Sequence, residues 1–193
     1  MEVFDIRLFE ENYHSGGCRY EKDGYAVTMS EWEDCYETLM VPVSEVDMVC
    51  VQKLYYIDTL TLMSEGLFLK LGNAKIEVWK EFDKEGNLIQ EIDYEKGWGF
   101  GWDKLFPRLM HLEIDMKKVV RISRTIEAEI ENNDVEYDAA DFIEKDLFDK
   151  VDNKQLLRNW KISILLSPDV KEIVYFDGET GNRLWSEYVF KED

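Results

Sequence analysis

Residues 76–94 read IEVWKEFDKEGNLIQEIDY, and residues 172–190 read EIVYFDGETGNRLWSEYVF. Each opens on β-branched and aromatic residues, passes an acidic turn holding Gly and Asn, and closes on a second run that ends in aromatics. β-branched and aromatic side chains suit a pleated, half-buried surface. Gly and Asn tolerate the positive φ that tight turns need. The phrase therefore predicts a β-hairpin, twice. It sets the fold class as α+β: an antiparallel β-sheet built from hairpins, with about two helices packed on one face.

The flanking segments extend this plan, and residues 1–30 are expected as β-structure. Arg19–Thr28 centres a further hairpin on Asp23-Gly24. Ser30 precedes Glu33 by three residues, a capping-box spacing that predicts a short helix or turn over 31–39, ended before Pro42. Val49, Val51, Leu54, Tyr56 and Leu60 predict strands within 46–71, with turns at Ser64-Glu65-Gly66 and Gly72-Asn73. Gly97-Trp98-Gly99-Phe100-Gly101-Trp102 lacks the third Gly of a dinucleotide fingerprint and reads as a bend with packed rings. Asp103 is placed to cap a helix running to about Asp115, with Pro107 near its first turn.

Residues 119–131 carry apolar side chains at mostly even positions and predict a strand. Asn132-Asn133-Asp134 reads as a turn, and Asp138 as the cap of a helix over Ala139–Val151. Gln155–Arg158 either extends that helix or forms a turn. Trp160, Ile162, Ile164 and Leu166 alternate as a strand before the turn Ser167-Pro168-Asp169. One domain over residues 1–193 accommodates all of this. The alternative is two lobes, 1–95 and 119–193, parted between 95 and 118.

Composition narrows the class. The chain has 193 residues, 45% of them apolar, enough for a globular core. Its net charge is −19, from 42 acids against 23 bases. That opposes nucleic-acid binding and anionic membrane surfaces, both of which require clustered Lys and Arg. No apolar run reaches the roughly 18 residues of a membrane span, and the N-terminus has no signal-peptide pattern. A cytoplasmic address follows as the expectation. Cys18, Cys35 and Cys50 form no CxxC pair and read as reduced thiols.

Chemistry-bearing patterns are weak. His14 and His111 lie far apart and sit in no ligand or triad spacing. In Asp83-x-Glu85-Gly86 the Gly falls at the fourth position, whereas a calcium loop needs it at the sixth. The expectation is a non-enzymatic protein with no metal and no cofactor. Among the tryptophans, Trp79, Trp98, Trp102 and Trp160 lie in apolar patterns and are expected in the core. Trp32 and Trp185 are expected at the surface.

One charge cluster stands out. Residues 127–152 hold eleven acids and two bases, −9 of the total charge. Such a segment is either a solvated face or a docking site for an electropositive partner.

Tyr55-Tyr56, Leu62–Gly66, Lys75–Asp83 and Gly86-Asn87-Leu88 together resemble MORN-variant repeats, with Glu77 where that family usually has Gly. The resemblance covers residues 55–94. The tail, Trp160-Lys161-Ile162 followed by Val174–Leu184, is similar to the closing strands of PepSY-like domains. Bacterial proteins combining the two elements resemble immunity proteins of interbacterial toxin systems. The resemblance implies a protein that binds a cognate toxin, basic and acting in the cytoplasm, and occludes its active site. The partner-binding residues are then expected at Glu136, Asp138, Asp141, Glu144, Asp146, Asp149 and Trp185. The alternative is a scaffold module without a toxin partner.

Overall fold

A computed structural model describes residues 2–14, 16–44, 47–72, 74–130, 133–138 and 156–191. The chain divides into two compact units, Met1–Lys70 with Lys75–Glu95, and Leu71–Ala74 with Lys96–Asp193. Each is built on its own antiparallel sheet. No described helix is long and apolar enough to cross a membrane.

The first unit is a seven-stranded meander. Its strands are Cys18–Lys22 (β1), Tyr25–Glu31 (β2), Cys35–Pro42 (β3), Val49–Tyr56 (β4), Leu62–Leu69 (β5), Lys75–Phe82 (β6) and Leu88–Asp93 (β7), paired in chain order. The Asp23-Gly24 turn forms as expected. Lys22 pairs with Tyr25, and φ is 51° at Asp23 and 81° at Gly24. Positive φ at both central residues matches the twist of the flanking strands.

Three expectations fail in this unit. Residues 31–39 form no helix: Glu31 ends β2, and residues 35–39 belong to β3. The chain turns between Trp32 and Cys35, whose backbone bond is 2.8 Å, and β3 then pairs on both sides. Cys35 and Glu37 are buried while Tyr36 and Thr38 are half-buried, so period two overrides the capping-box spacing. Ser64-Glu65-Gly66 lies inside β5 rather than at a turn. Ile6–Glu11, expected as β-structure, is a short helix (α1) whose Leu8 amide donates to Asp5 Oδ1 at 3.0 Å.

Both faces of this sheet are covered. One cluster joins Phe4 and Phe9 to Cys18, Met29, Tyr55 and Leu62, with Tyr36 stacked on Phe4 at 4.5 Å. The other joins Cys50, Phe68 and Trp79 to Leu39, Val41, Ile92 and Tyr94. All three cysteines are buried and free. Burial pushes the Cys50 thiol up to about 11, which keeps it protonated and unreactive at neutral pH.

The second unit has five strands in the order β12-β11-β10-β8-β9: Val119–Ile130 (β8), Asn133–Asp138 (β9), Leu156–Ser167 (β10), Val170–Asp177 (β11) and Arg183–Phe190 (β12). Trp102–His111 forms a helix (α2) that begins at Gly101. Asp103 therefore lies in the first turn and is not the cap. Pro107 is accommodated inside the helix, and the helix stops short of the expected Asp115. Of the expected apolar stripe, Leu105 and Leu109 are fully buried, while Met110 is 69% exposed. Helices α1 and α2 belong to different units.

Asn133 and Asp134 begin β9 instead of turning, Asp138 ends it, and Leu156–Arg158 start β10. The helix expected over 139–151 lies outside the described residues. Alternation places Ile122, Arg124, Trp160, Ile162, Val174 and Phe176 on one face, where all six are at most 2% exposed. Gly72, at φ 114°, sits so close to Ile122 that a Cβ there would fall 2.1 Å from the Ile122 carbonyl oxygen. This close approach lets Leu71 O accept from the Ile122 amide at 2.7 Å.

The two hairpin phrases thus lie in different sheets, β6–β7 closing the first and β11–β12 the second. Their turns share one device. Asp83 accepts from Asn87 N at 2.7 Å and Asn87 Nδ2 at 2.9 Å. Asp177 Oδ1 accepts from Thr180 N at 2.6 Å and Thr180 Oγ1 at 2.7 Å. In both turns the last Gly, Gly86 or Gly181, has positive φ and donates to the backbone of the leading Asp. These carboxylates bind their own turns, and both titrate below the usual range. The side-chain hydrogen bond from Asn87 lowers Asp83. At Asp177 burial pushes upward, and the bonds from Thr180 outweigh it.

Candidate docking sites

Two edge strands carry exposed apolar residues. Strand β12 pairs only with β11 among the described strands, and Leu184, Trp185, Tyr188, Val189 and Phe190 are all exposed along it. Natural edges are usually blunted by Lys, Pro or inward charges. β12 has neither Lys nor Pro within its eight residues. Trp185 is 45% exposed and stacks on Tyr175 at 4.5 Å with 20° between the planes. Tyr175 donates to Glu187 Oε1 at 2.9 Å, and the Lys161 ammonium lies 5.4 Å from its ring. Trp185 is thus one end of an aromatic–cation ladder across β12, β11 and β10. Such stacking fixes the ring in one orientation at the surface.

In the first unit, β7 closes the seven-stranded sheet with Leu88 and Ile89 exposed. Beside it lies an open groove of about 360 Å³. Trp79 forms its floor, held by donation of Nε1 to Leu67 O at 2.8 Å. Leu54, Ile92 and Tyr94 contribute walls, and Lys75 and Glu81 contribute charge. The Lys75 ammonium sits 4.3 Å from the Trp79 ring centroid and 5.6 Å from that of Tyr94. Burial lowers its pKa, partly offset by the Glu81 carboxylate. Burial first, and Glu81 second, push Tyr94 up to about 12. The groove can hold an apolar side chain beside the charges of Lys75 and Glu81.

Three of the expected partner-binding residues are described, and they lie at two edges. Glu136 and Asp138 lie on β9 and Trp185 on β12, the two opposite edges of one sheet. Four strand spacings separate those edges, on the order of 19 Å. Asp141, Glu144, Asp146 and Asp149 lie outside the described residues. Of the other tryptophans, Trp79 and Trp160 are buried, Trp98 and Trp102 half-buried, and Trp32 exposed, with its Nε1 donating to Glu37 at 3.1 Å. No group of three or more potential metal ligands occurs among the described residues.

Sequence reading missed a cationic surface. Arg121, Lys161 and Lys171 meet on one face of the second sheet although they come from three strands. Their signal is period two: Arg121, Ser123 and Thr125 occupy the odd positions of a strand whose even positions had drawn attention.

No protein-family model matches the chain, and neither the curated proteins nor the solved structures compared with it give a match.

Proposed function

We propose that this protein is a non-enzymatic immunity protein. It resides in the cytoplasm, binds a cognate bacterial toxin of basic charge, and covers that toxin's active site. The carrying observation is the pairing of a −19 net charge with the unblunted, aromatic edge of β12. Charge steers an oppositely charged partner towards the surface, and exposed Trp and Tyr supply the buried anchors of an interface. The MORN-variant-like phrase and the PepSY-like tail support the same reading.

Glu77 adds a physical argument for that phrase. It stands where the MORN-variant pattern has Gly, and it adopts φ of 58°. Left-handed backbone costs a non-Gly residue about 1–2 kcal/mol. Glu77→Gly is therefore expected to raise the unfolding free energy by about 1 kcal/mol in urea titration. A loss of stability would detach the phrase from the family pattern.

The proposal is tested by co-expression with the protein encoded immediately upstream: rescued growth and a 1:1 complex support immunity. Reversing the charges at Asp141, Glu144 and Asp149 together is expected to slow association with that partner by about tenfold or more at low salt. An unchanged rate would remove the segment from the interface. A scaffold role without a toxin is the second reading. Exposed Leu88 and Ile89 on β7, an edge in a different unit from β12, favour it. Failure of both rescue and co-purification would select it.

A further inference from the structure

The odd-numbered face of the second sheet carries a groove of about 580 Å³, a size typical of small-molecule sites. Alternation places Arg121, Ser123 and Thr125 of β8 beside Lys161 and Ser163 of β10, and β11 adds Lys171. The register is direct: Lys161 pairs with Ser123, and Ser163 with Arg121. Paired residues on one face have Cβ atoms about 5 Å apart. Three cations and three hydroxyls therefore converge. The remaining described lining, Val120, Ile173 and Val189, is apolar, and no carboxylate lies among these nine residues. In a chain with nearly twice as many acids as bases, three bases in one lining are a local concentration of positive charge.

Thr125 gives an independent pointer. Its side chain is 3% exposed, and its hydroxyl oxygen has no hydrogen-bond partner. A buried hydroxyl without a partner is destabilising, and such groups in native proteins call for an explanation. A ligand oxygen in the groove supplies one. Two described acids border this face: Asp138, the cross-strand partner of Thr125, and Glu187, which the Tyr175 hydroxyl engages.

We propose that this groove binds a small phosphate-bearing molecule. Arg presents a planar fork of donors matched to phosphate oxygens, Lys adds point charge, and Ser and Thr hydroxyls donate to the same oxygens. The site does not depend on the proposed toxin partner. The strongly negative overall charge repels anions elsewhere on the surface, so saturable binding reports the groove.

The test uses the full chain and inorganic pyrophosphate, titrated at constant ionic strength and followed by amide NMR shifts and thermal midpoint. The expected result is saturable 1:1 binding, a raised midpoint, and shifts centred on residues 121–125, 161–163 and 171. Thr125→Val should leave the ligand-free midpoint unchanged or higher, because no hydrogen bond is lost, and weaken pyrophosphate at least fivefold. Lys171→Ala, an exposed change that leaves folding intact, should weaken it by a similar factor. Absence of saturable binding would overturn the proposal, as would pyrophosphate affinity indifferent to both substitutions. A lowered ligand-free midpoint in Thr125→Val would show that its hydroxyl is already satisfied and would overturn it too. Equal binding of citrate would show a site that reads negative charge alone and would overturn the assignment to phosphate.

Discussion

Trp160→Ala is expected to lower the unfolding free energy by about 4 kcal/mol, near the upper end of core truncations. Three losses coincide. The side chain is fully buried, so its removal leaves a large cavity. Its Nε1 donates to Phe100 O at 2.8 Å, so a carbonyl loses its donor. The third loss is electrostatic. The Arg124 guanidinium, 2% exposed, lies 4.4 Å from the Trp160 ring centroid and 4.6 Å from that of Trp98. Removing one ring leaves a buried cation with half its π environment. Trp160→Phe keeps a ring but not the indole donor and should cost about half as much. Urea unfolding followed by near-UV circular dichroism measures both. A loss under about 1.5 kcal/mol for the alanine variant would show that this aromatic–guanidinium stack does not hold the second unit together.

Gly66→Ala is expected to cost about 2–3 kcal/mol, a large effect for one methyl group. A Cβ at Gly66 would fall 2.2 Å from Trp79 Cδ2 and 2.3 Å from Cε2. The indole is anchored by its bond to Leu67 O and packed against Lys75 and Tyr94, so it cannot move away without losing contacts. A double-mutant cycle isolates the clash. With Trp79 truncated to Ala, the clash is gone, and Gly66→Ala should be neutral or stabilising, since Gly weakens a strand interior. Additive effects in the cycle would mean the penalty arises from the backbone rather than from the ring.

That glycine shows where sequence reading ran out. Ser64-Glu65-Gly66 has turn composition, yet the missing side chain serves close ring packing inside β5. The 31–39 segment failed for a related reason. Its capping-box spacing is local, whereas β3 is fixed by pairing with two neighbours, and tertiary pairing overrides short-range signals. Helix α1 is six residues long, too short to display a helical period.

What was legible was chemistry repeated over many residues. The two hairpin phrases, the Asp23-Gly24 turn and the Trp160–Ile162–Ile164 alternation all appear as strands and turns. Exposure of Trp32 and Trp185 followed from their polar surroundings or their place near the chain end. The buried Arg124 was not legible, because a base in a strand sequence carries no mark of the two tryptophan rings it lies against. The cationic groove was hidden for the same reason: Arg121, Lys161 and Lys171 become neighbours only once strand order and register are known.

Association with a basic partner protein is the central claim, and its salt dependence tests it most directly. The protein encoded immediately upstream, co-expressed and purified with this chain, should form a 1:1 complex. Its association rate should fall about tenfold or more between 50 mM and 500 mM salt, because long-range steering is screened. The absence of a complex at any salt, or an association rate indifferent to salt, would contradict the account.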